Sequence, residues 1–144
     1  MRYFNNFDAF MKLVLSMTGG FYNTLIIFFF TLLFSLPLGL LIAFGRMSKN
    51  RIVSGIFRLY ISLMRGTPLM LQLMVVYFGP FYLFGMNIGK WRFPAIITGF
   101  ALNYGAYFAE IYRSGIVSMD RGQYEAAKLL GYSKGQTFVR IILP

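Results

Sequence analysis

Uncharged, mostly apolar runs alternate with short basic connections along most of this chain. The first run, residues 21–44, and the second, residues 66–89, each contain 24 residues without a charged side chain. A helix rises ~1.5 Å per residue, so either run is long enough to cross a hydrocarbon core of ~30 Å. The third run, residues 93–109, is shorter, and its helix is expected to continue to Tyr112. The pattern predicts an all-α integral membrane protein with spans at residues 21–45, 66–89 and 93–112.

Residues 1–20 are more mixed in polarity than the runs that follow. Apolar residues recur there at helical spacing: Phe7, Phe10, Leu13, Val14 and Met17. This spacing favours a short interfacial helix that leads into the first span, with a disordered tail as the alternative. A compact apolar core followed by a small-residue cleavage site is missing from this segment, so we expect no removable signal peptide.

The composition supports a membrane protein of one domain. Hydrophobic residues make up 58% of the 144 residues and charged residues only 12%, whereas soluble domains carry roughly a quarter charged residues. The net charge of +10 does not indicate a nucleic-acid partner, because the basic residues lie between apolar runs and no nucleic-acid fold is recognisable. With neither Cys nor His and only four acids, the sequence predicts no metal or cofactor site.

The basic residues also predict an orientation in the membrane. Five lie between residues 44 and 66 and five more follow residue 110, against four in residues 1–20 and 79–92 together. Cytoplasmic loops carry the excess of Lys and Arg. The two basic segments, including the whole of residues 113–144, are therefore expected in the cytoplasm, with the N-terminus outside.

The last twenty-five residues are polar and helix-forming, unlike the rest of the chain. Asp120 is a candidate N-cap, with Gln123 at the return position of a capping box. Good helix formers follow, and Arg121 and Lys128 flank Glu125 at spacings that suit charge pairing. The segment therefore predicts a short, well-capped helix.

A second short helix is predicted directly afterwards. Gly131 is placed to end the first helix in a left-handed conformation. Ser133 offers a new N-cap, with Gln136 three residues further on. Phe138, Ile141 and Ile142 then form an apolar stripe. The expected structure is a helix-turn-helix.

This segment resembles the cytoplasmic EAA loop of permease subunits in bacterial ABC importers. The family pattern is Glu-Ala-Ala, three residues, Gly, nine residues, Ile, one residue and Leu-Pro. All seven fixed positions are matched here: Glu125, Ala126, Ala127, Gly131, Ile141, Leu143 and Pro144. Members of that family continue beyond the Leu-Pro with further spans. The resemblance therefore implies a partial type I ABC importer permease core that is incomplete after the EAA loop.

A second signature lies at the head of the second uncharged run. Pro68 disfavours a helical conformation at Thr67, so a helix break is expected there, and Gly66 permits a tight turn. Arg65 is suited to hold carbonyls or phosphates, and Gln72 lies about one turn beyond the break. Arg-Gly-Thr-Pro followed by Gln resembles the polar amino acid branch of the same family, with a simple proline-marked helix start as the alternative explanation of the local geometry.

The resemblance implies a function and a set of partners. They are ATP-binding subunits, a second permease subunit (the same or a sister chain), an external amino-acid-binding protein and the lipid bilayer of the bacterial cytoplasmic membrane. In the family the EAA loop docks onto the ATP-hydrolysing subunit. The implied coupling residues are Glu125 for polar contact, Ala126 and Ala127 for close approach, and Gly131 for the turn. Catalysis is not expected in this chain.

Two polar residues stand within or beside the third span. Asn103 is near mid-span, where an interhelical hydrogen bond is favoured over contact with substrate. Glu110 stands three residues before Arg113 on the same helical face, which favours an ion pair over a site for a cationic substrate. Small residues spaced by four predict close helix contact: Ala101, Gly105 and Ala109.

A membrane enzyme or a secondary transporter without an ATPase partner is the alternative function. An enzyme needs clustered titratable groups, and a proton-coupled carrier needs carboxylates inside the membrane. Of the four acids, Glu110 alone is placed within reach of the bilayer. The sequence therefore favours the importer subunit.

Overall fold

A computed structural model describes residues 7–85 and 87–142 of the chain, and all regular structure in those ranges is helical. This agrees with the predicted all-α class. The helices are α1 (Phe7–Arg46), α2 (Arg51–Gly66), α3 (Leu69–Phe84), α4 (Ile88–Ser118), α5 (Arg121–Leu129) and α6 (Lys134–Thr137), followed by a π-helical turn (Phe138–Ile142).

Helix α1 is continuous over 40 residues. Residues 7–20 are helical and continue into the first predicted span without a break, and residues 1–6 lie outside the described ranges. No proline interrupts the first thirty residues of the chain, and Gly19 and Gly20 remain helical, so nothing in the sequence breaks the helix there. By length and apolarity α1 is able to cross a membrane.

Helices α2 and α3 are separated by a sharp break. Thr67 is extended, Pro68 caps α3, and the two helix axes are bent by 110°. Gly85, in a left-handed conformation, ends α3. The predicted second span at 66–89 is therefore realised as a helix of only 16 residues, ~24 Å long. Together, α2 and α3 pass the length and apolarity criteria for one bent span.

Helix α4 begins earlier than the predicted third span. Asn87 caps it, because its Oδ1 accepts from the backbone N–H of Gly89 at 3.0 Å. Lys90, Trp91 and Arg92, which lie between the second and third predicted spans, belong to the first turns of this helix of 31 residues. Within the described ranges α1 and the bent pair qualify as spans, so a count of three spans does not follow from length and apolarity alone.

The most extensive helix contact joins α1 and α4. Ala101 and Ala109 of the predicted small-residue ridge are buried, as is Ala106 beside them. A Cβ added to Gly39 would lie 2.6 Å from Cβ of Phe108 and 3.1 Å from the carbonyl oxygen of Gly105. Helix α1 supplies a facing ridge of small buried residues, again spaced by four, which the sequence interpretation missed: Thr31, Ser35, Gly39 and Ala43.

Candidate functional site

The break between α2 and α3 leaves the carbonyl of Met64 without a backbone donor. The carbonyl of Met64 would normally accept from the residue four positions on, but Pro68 has no N–H and Thr67 is extended. Two side-chain amides replace the missing donor. Nε2 of Gln72 donates to the Met64 carbonyl at 2.9 Å, and Nδ2 of Asn103 donates to it at 3.1 Å. The bend is thus satisfied by polar side chains from α3 and α4.

Gln72 and Asn103 are also bonded to each other. Asn103 Nδ2 donates to Gln72 Oε1 at 2.8 Å, and Gln72 Nε2 donates to Oγ1 of Thr67 at 2.7 Å. Asn103 is buried. The side-chain amide of Asn103, in the middle of α4, therefore bonds to both α2 and α3. Both contacts are interhelical hydrogen bonds.

Two further contacts hold the end of α2 against α4. The hydroxyl of Tyr60 donates to the carbonyl of Leu102 at 2.7 Å. The guanidinium of Arg65 lies over the ring of Tyr107, 5.4 Å from its centroid, and does not bind a carbonyl. Gly66 ends α2 without a positive φ, so the sharp bend after it does not depend on a left-handed glycine. The Arg-Gly-Thr-Pro stretch acts with Gln72 as a fixed corner.

A side-chain donor also replaces a missing backbone donor at a second proline. Pro80 lies inside α3 and leaves the carbonyl of Val76 without its donor four residues on. Nε1 of Trp91, in the second turn of α4, donates to that carbonyl at 3.1 Å. Trp91 thus connects α4 with α3.

Helix α5 carries the Glu-Ala-Ala sequence and is capped at both ends. The carboxylate of Asp120 accepts from the N–H of Gly122 at 2.7 Å, and a capping box with Gln123 does not form. At the other end Tyr132 N–H donates to the Ala127 carbonyl at 3.0 Å and Gly131 N–H to the Lys128 carbonyl at 3.1 Å. These two bonds make a Schellman motif, with Gly131 at φ 77°.

A capping box then starts the second short helix. The Ser133 hydroxyl accepts from the Gln136 N–H at 3.3 Å, and the Gln136 side chain accepts from the Ser133 N–H at 2.9 Å. The helix continues into the π-helical turn, where the Phe138 ring packs on Phe44 of α1 with centroids 5.3 Å apart. The turn at Gly131 and the second helix are therefore formed as the sequence predicts.

The predicted coupling residues divide into exposed and buried ones. Glu125 and Ala126 are exposed, but Ala127 is only 1% exposed, so its side chain packs within the chain instead of offering an outer surface. The expected pairs of Glu125 with Arg121 and Lys128 do not form; in the described ranges the one ion pair is Glu110–Arg113. The carboxylate of Glu125 is thus free for another partner.

Two exposed leucines beside the turn were missed by the sequence interpretation. Leu129 is 90% exposed and Leu130 is 72% exposed. Their neighbours Lys128 and Gly131 are also exposed. A prediction based on the matched motif positions alone overlooks them, because positions between the fixed residues carry no pattern. An apolar pair at the end of a polar helix is nevertheless a signal for contact with another surface.

Glu110 and Arg113 form a bonded pair near the end of α4. Nε of Arg113 donates to Oε1 of Glu110 at 2.9 Å, and Nη2 donates to the same oxygen. Both side chains are about one-third exposed. A guanidinium thus already occupies the carboxylate that a cationic substrate would require.

Comparison with known proteins places this chain among transport proteins. The family model described as "Binding-protein-dependent transport system inner membrane component" matches residues 35–144. The chain is 40% identical over 129 residues to the L-cystine transport system permease protein TcyB of Bacillus subtilis (strain 168), covering 89% of this chain and 53% of that protein. It is 42% identical over 109 residues to the putative glutamine transport system permease protein GlnP of Rickettsia prowazekii (strain Madrid E), covering 76% and 49%.

A solved structure shares both fold and sequence with the chain. It is described as the crystal structure of an amino acid ABC transporter with histidines, and it superposes with a TM-score of 0.79 at 36% identity, over 96% of this chain and 64% of that one. The chain spans about half the length of the curated relatives it matches. With the family model covering most of its length, the chain belongs to the family of binding-protein-dependent transport system inner membrane components.

Proposed function

We propose that this chain is part of the permease subunit of an ATP-driven ABC importer that carries polar amino acids across the bacterial cytoplasmic membrane. Relatives named as permeases for cystine and glutamine support the substrate class, and they favour this function over a secondary transporter. Its partners are ATP-binding subunits, a second permease subunit and an external amino-acid-binding protein. ATP hydrolysis takes place on the ATP-binding subunits.

The observation that carries this proposal is the geometry of α5 and the turn that follows it. A helix of nine residues, capped at both ends, follows α4 in the chain and carries an unpaired carboxylate and two exposed leucines beside it. Such an element transmits force because its caps hold it as a rigid unit. We assign polar contact with the ATP-binding subunit to Glu125, close approach to Ala126, and apolar contact to Leu129 and Leu130.

The remaining motif residues hold this surface in shape. Gly131 sets the turn through its left-handed conformation, and the side chain of Ala127 is buried behind the exposed surface. The corner at Arg65, Thr67 and Gln72 holds α2 and α3 on α4. Movement of the α5 surface would therefore pass to α4 and from there to the packed helices.

The topology belongs to the same proposal. Helix α1, the α2–α3 pair and α4 form three crossings, the N-terminus is outside, and the Glu-Ala-Ala segment is in the cytoplasm. Because the sequence contains no Cys, a single introduced cysteine is the one thiol in these residues that a maleimide can label. Asn87→Cys should react with an impermeant maleimide in intact cells, whereas Lys134→Cys should react only after permeabilisation. The opposite pattern would reverse the orientation.

Transport itself is tested with the complete permease subunit assembled with its ATP-binding and binding-protein partners in vesicles. Uptake of radiolabelled glutamine, cystine, histidine and arginine is followed with ATP enclosed and with ATP omitted. We expect uptake of at least one of them that depends on both ATP and binding protein. Uptake driven by a proton gradient in the absence of ATP would support a secondary transporter instead.

A further inference from the structure

Helix α2 presents three distinct faces, about 120° apart on a helix of 100° per residue. One face packs on α1 and α4 through Phe57, Tyr60, Ile61 and Met64. The second is apolar and exposed, and consists of Ile52, Ile56, Leu59 and Leu63. The third is basic, with Arg51, Arg58 and Arg65 spaced by seven. An exposed apolar face beside a basic face is typical of a helix that lies in a membrane interface.

The bend at Pro68 gives α2 the orientation that this pattern requires. The axes of α2 and α3 differ by 110°. In the proposed crossing by the α2–α3 pair, an α3 aligned with the bilayer normal places α2 within about 20° of the membrane plane. Its exposed apolar face then contacts acyl chains, and its basic face reaches the headgroups. This step rests on the proposed topology.

A cavity of about 400 Å³ opens on the basic side of α2, at its N-terminal end. It is lined by Ser48, Lys49, Arg51, Ser54, Gly55 and Arg58. The Ser54 hydroxyl donates to the Arg46 carbonyl at 2.8 Å, which ties the first turn of α2 to the end of α1 and fixes the shape of the cavity. The cavity is therefore formed by a defined corner of the chain.

The three cations around this cavity have no carboxylate partner. The one ion pair found in residues 7–85 and 87–142 is Glu110–Arg113, and the sequence has no acid between Asp8 and Glu110. Two arginines and one lysine thus line one volume. Guanidinium groups match the oxygens of a phosphate in pairs, and Lys adds a point charge.

We propose that this cavity binds the phosphate of an anionic lipid headgroup from the cytoplasmic leaflet. The lipid is favoured over free phosphate because the apolar face at Ile52 and Ile56 lies on the same end of the same helix and would receive the acyl chains. A phosphodiester in the cavity would neutralise Lys49, Arg51 and Arg58. It would also hold α2 in the interface, and so fix the corner at Pro68 from which α3 departs.

The test uses the complete importer in detergent, titrated with phosphatidylglycerol and examined by native mass spectrometry. Each basic residue near the membrane surface contributes about a fivefold factor in affinity, so Arg51→Gln with Arg58→Gln should bind phosphatidylglycerol roughly thirtyfold more weakly. The charge-conserving pair Arg51→Lys with Arg58→Lys should retain most of the binding. Lys12→Gln with Arg92→Gln removes the same net charge elsewhere and should leave the affinity unchanged.

Three results would overturn the proposal. They are unchanged binding in the Gln pair, an equal loss in the Lys12 and Arg92 control, and displacement of the lipid by millimolar inorganic phosphate, which would indicate a site for a soluble anion. ATP-driven uptake is measured on the same preparations reconstituted in vesicles. Wild-type uptake together with no specific lipid binding refutes this inference alone, whereas a wild-type complex without ATP-dependent uptake refutes the proposed function.

Discussion

The side-chain amide of Asn103 donates to Oε1 of Gln72 at 2.8 Å, and both side chains also donate to the carbonyl of Met64. That carbonyl is the group that Pro68 deprives of its backbone partner. An unpaired carbonyl in an apolar environment costs several kcal/mol, on the order of the free energy of transferring an amide from water to hydrocarbon, so a bend of this kind needs replacement donors. The amide pair thus makes the corner between α2 and α3 compatible with a membrane.

Loss of either amide should weaken the corner. We expect Gln72→Ala and Asn103→Ala each to lower the unfolding temperature of the complete subunit in detergent. In a double-mutant cycle the coupling free energy between them should be about 0.6 kcal/mol, the average for such bonds in membrane proteins, and at most about 1.7 kcal/mol. Additive effects of the two substitutions would show that the bond between the two amides contributes nothing to stability.

The bond from Trp91 to the Val76 carbonyl is tested through the proline that makes it necessary. Trp91→Phe keeps an aromatic ring but removes the N–H, and should destabilise the packing of α4 on α3 by about 1 kcal/mol. In a Pro80→Ala background the backbone N–H of residue 80 supplies the missing donor, because α3 is helical on both sides. Trp91→Phe should then be nearly neutral. An equal loss in both backgrounds would mean that Trp91 acts by packing alone.

The contact between α1 and α4 depends on the absence of a side chain at Gly39. Gly39→Ala places a Cβ 2.6 Å from Cβ of Phe108, and should destabilise the helix pair by about 1–3 kcal/mol. Gly115→Ala in α4 makes the same chemical change where no atom lies within 4 Å, and should stabilise by up to about 1 kcal/mol through helix propensity. Thermal unfolding of the two variants should shift in opposite directions. Equal shifts would show that α1 and α4 do not pack this closely.

The Glu110–Arg113 ion pair should have a structural role, and its contribution to stability should be small. Its side chains are partly exposed and lie on one helix, so Glu110→Gln should cost no more than about 1 kcal/mol of stability. Uptake of neutral and cationic amino acids should fall in parallel, if it falls at all. A selective loss of cationic amino acid uptake, at normal protein levels, would identify Glu110 as a substrate contact.

The sequence predicts the fold best where one residue determines one conformation. Gly131 and the Ser133 box formed as expected, because a left-handed glycine and a reciprocal cap are local features. The pairing of Gln72 with Asn103 could not be predicted, because it joins residues 31 positions apart and requires the relative placement of two helices. The burial of Ala127 could not be predicted either, because the motif spacing does not tell which side chain packs inward.

The polarity pattern of the sequence also does not show where α1 begins. Polar and apolar residues mix over residues 7–20, and the pattern indicates a change of environment at residue 21. The backbone does not follow this change, because a helix needs only continuing hydrogen bonds and no breaker is present. Charge and hydropathy thus locate candidate membrane boundaries, whereas helix ends are set by caps and prolines.

The central claim is that α5 and its turn couple the ATP-binding subunit to the membrane helices. The most direct measurement compares Gly131→Ala with Gly135→Ala in the complete importer, reconstituted in vesicles, with uptake and ATP hydrolysis recorded together. Both changes add one methyl group, but only Gly131 has a positive φ, 77°, where an L-residue is strained by about 1–2 kcal/mol. We expect both variants to insert and assemble. Gly131→Ala should lose most uptake and most stimulation of ATP hydrolysis by loaded binding protein, while Gly135→Ala remains at the wild-type level. Wild-type uptake and stimulation in Gly131→Ala would contradict the account, because the segment would then be only a connection between helices.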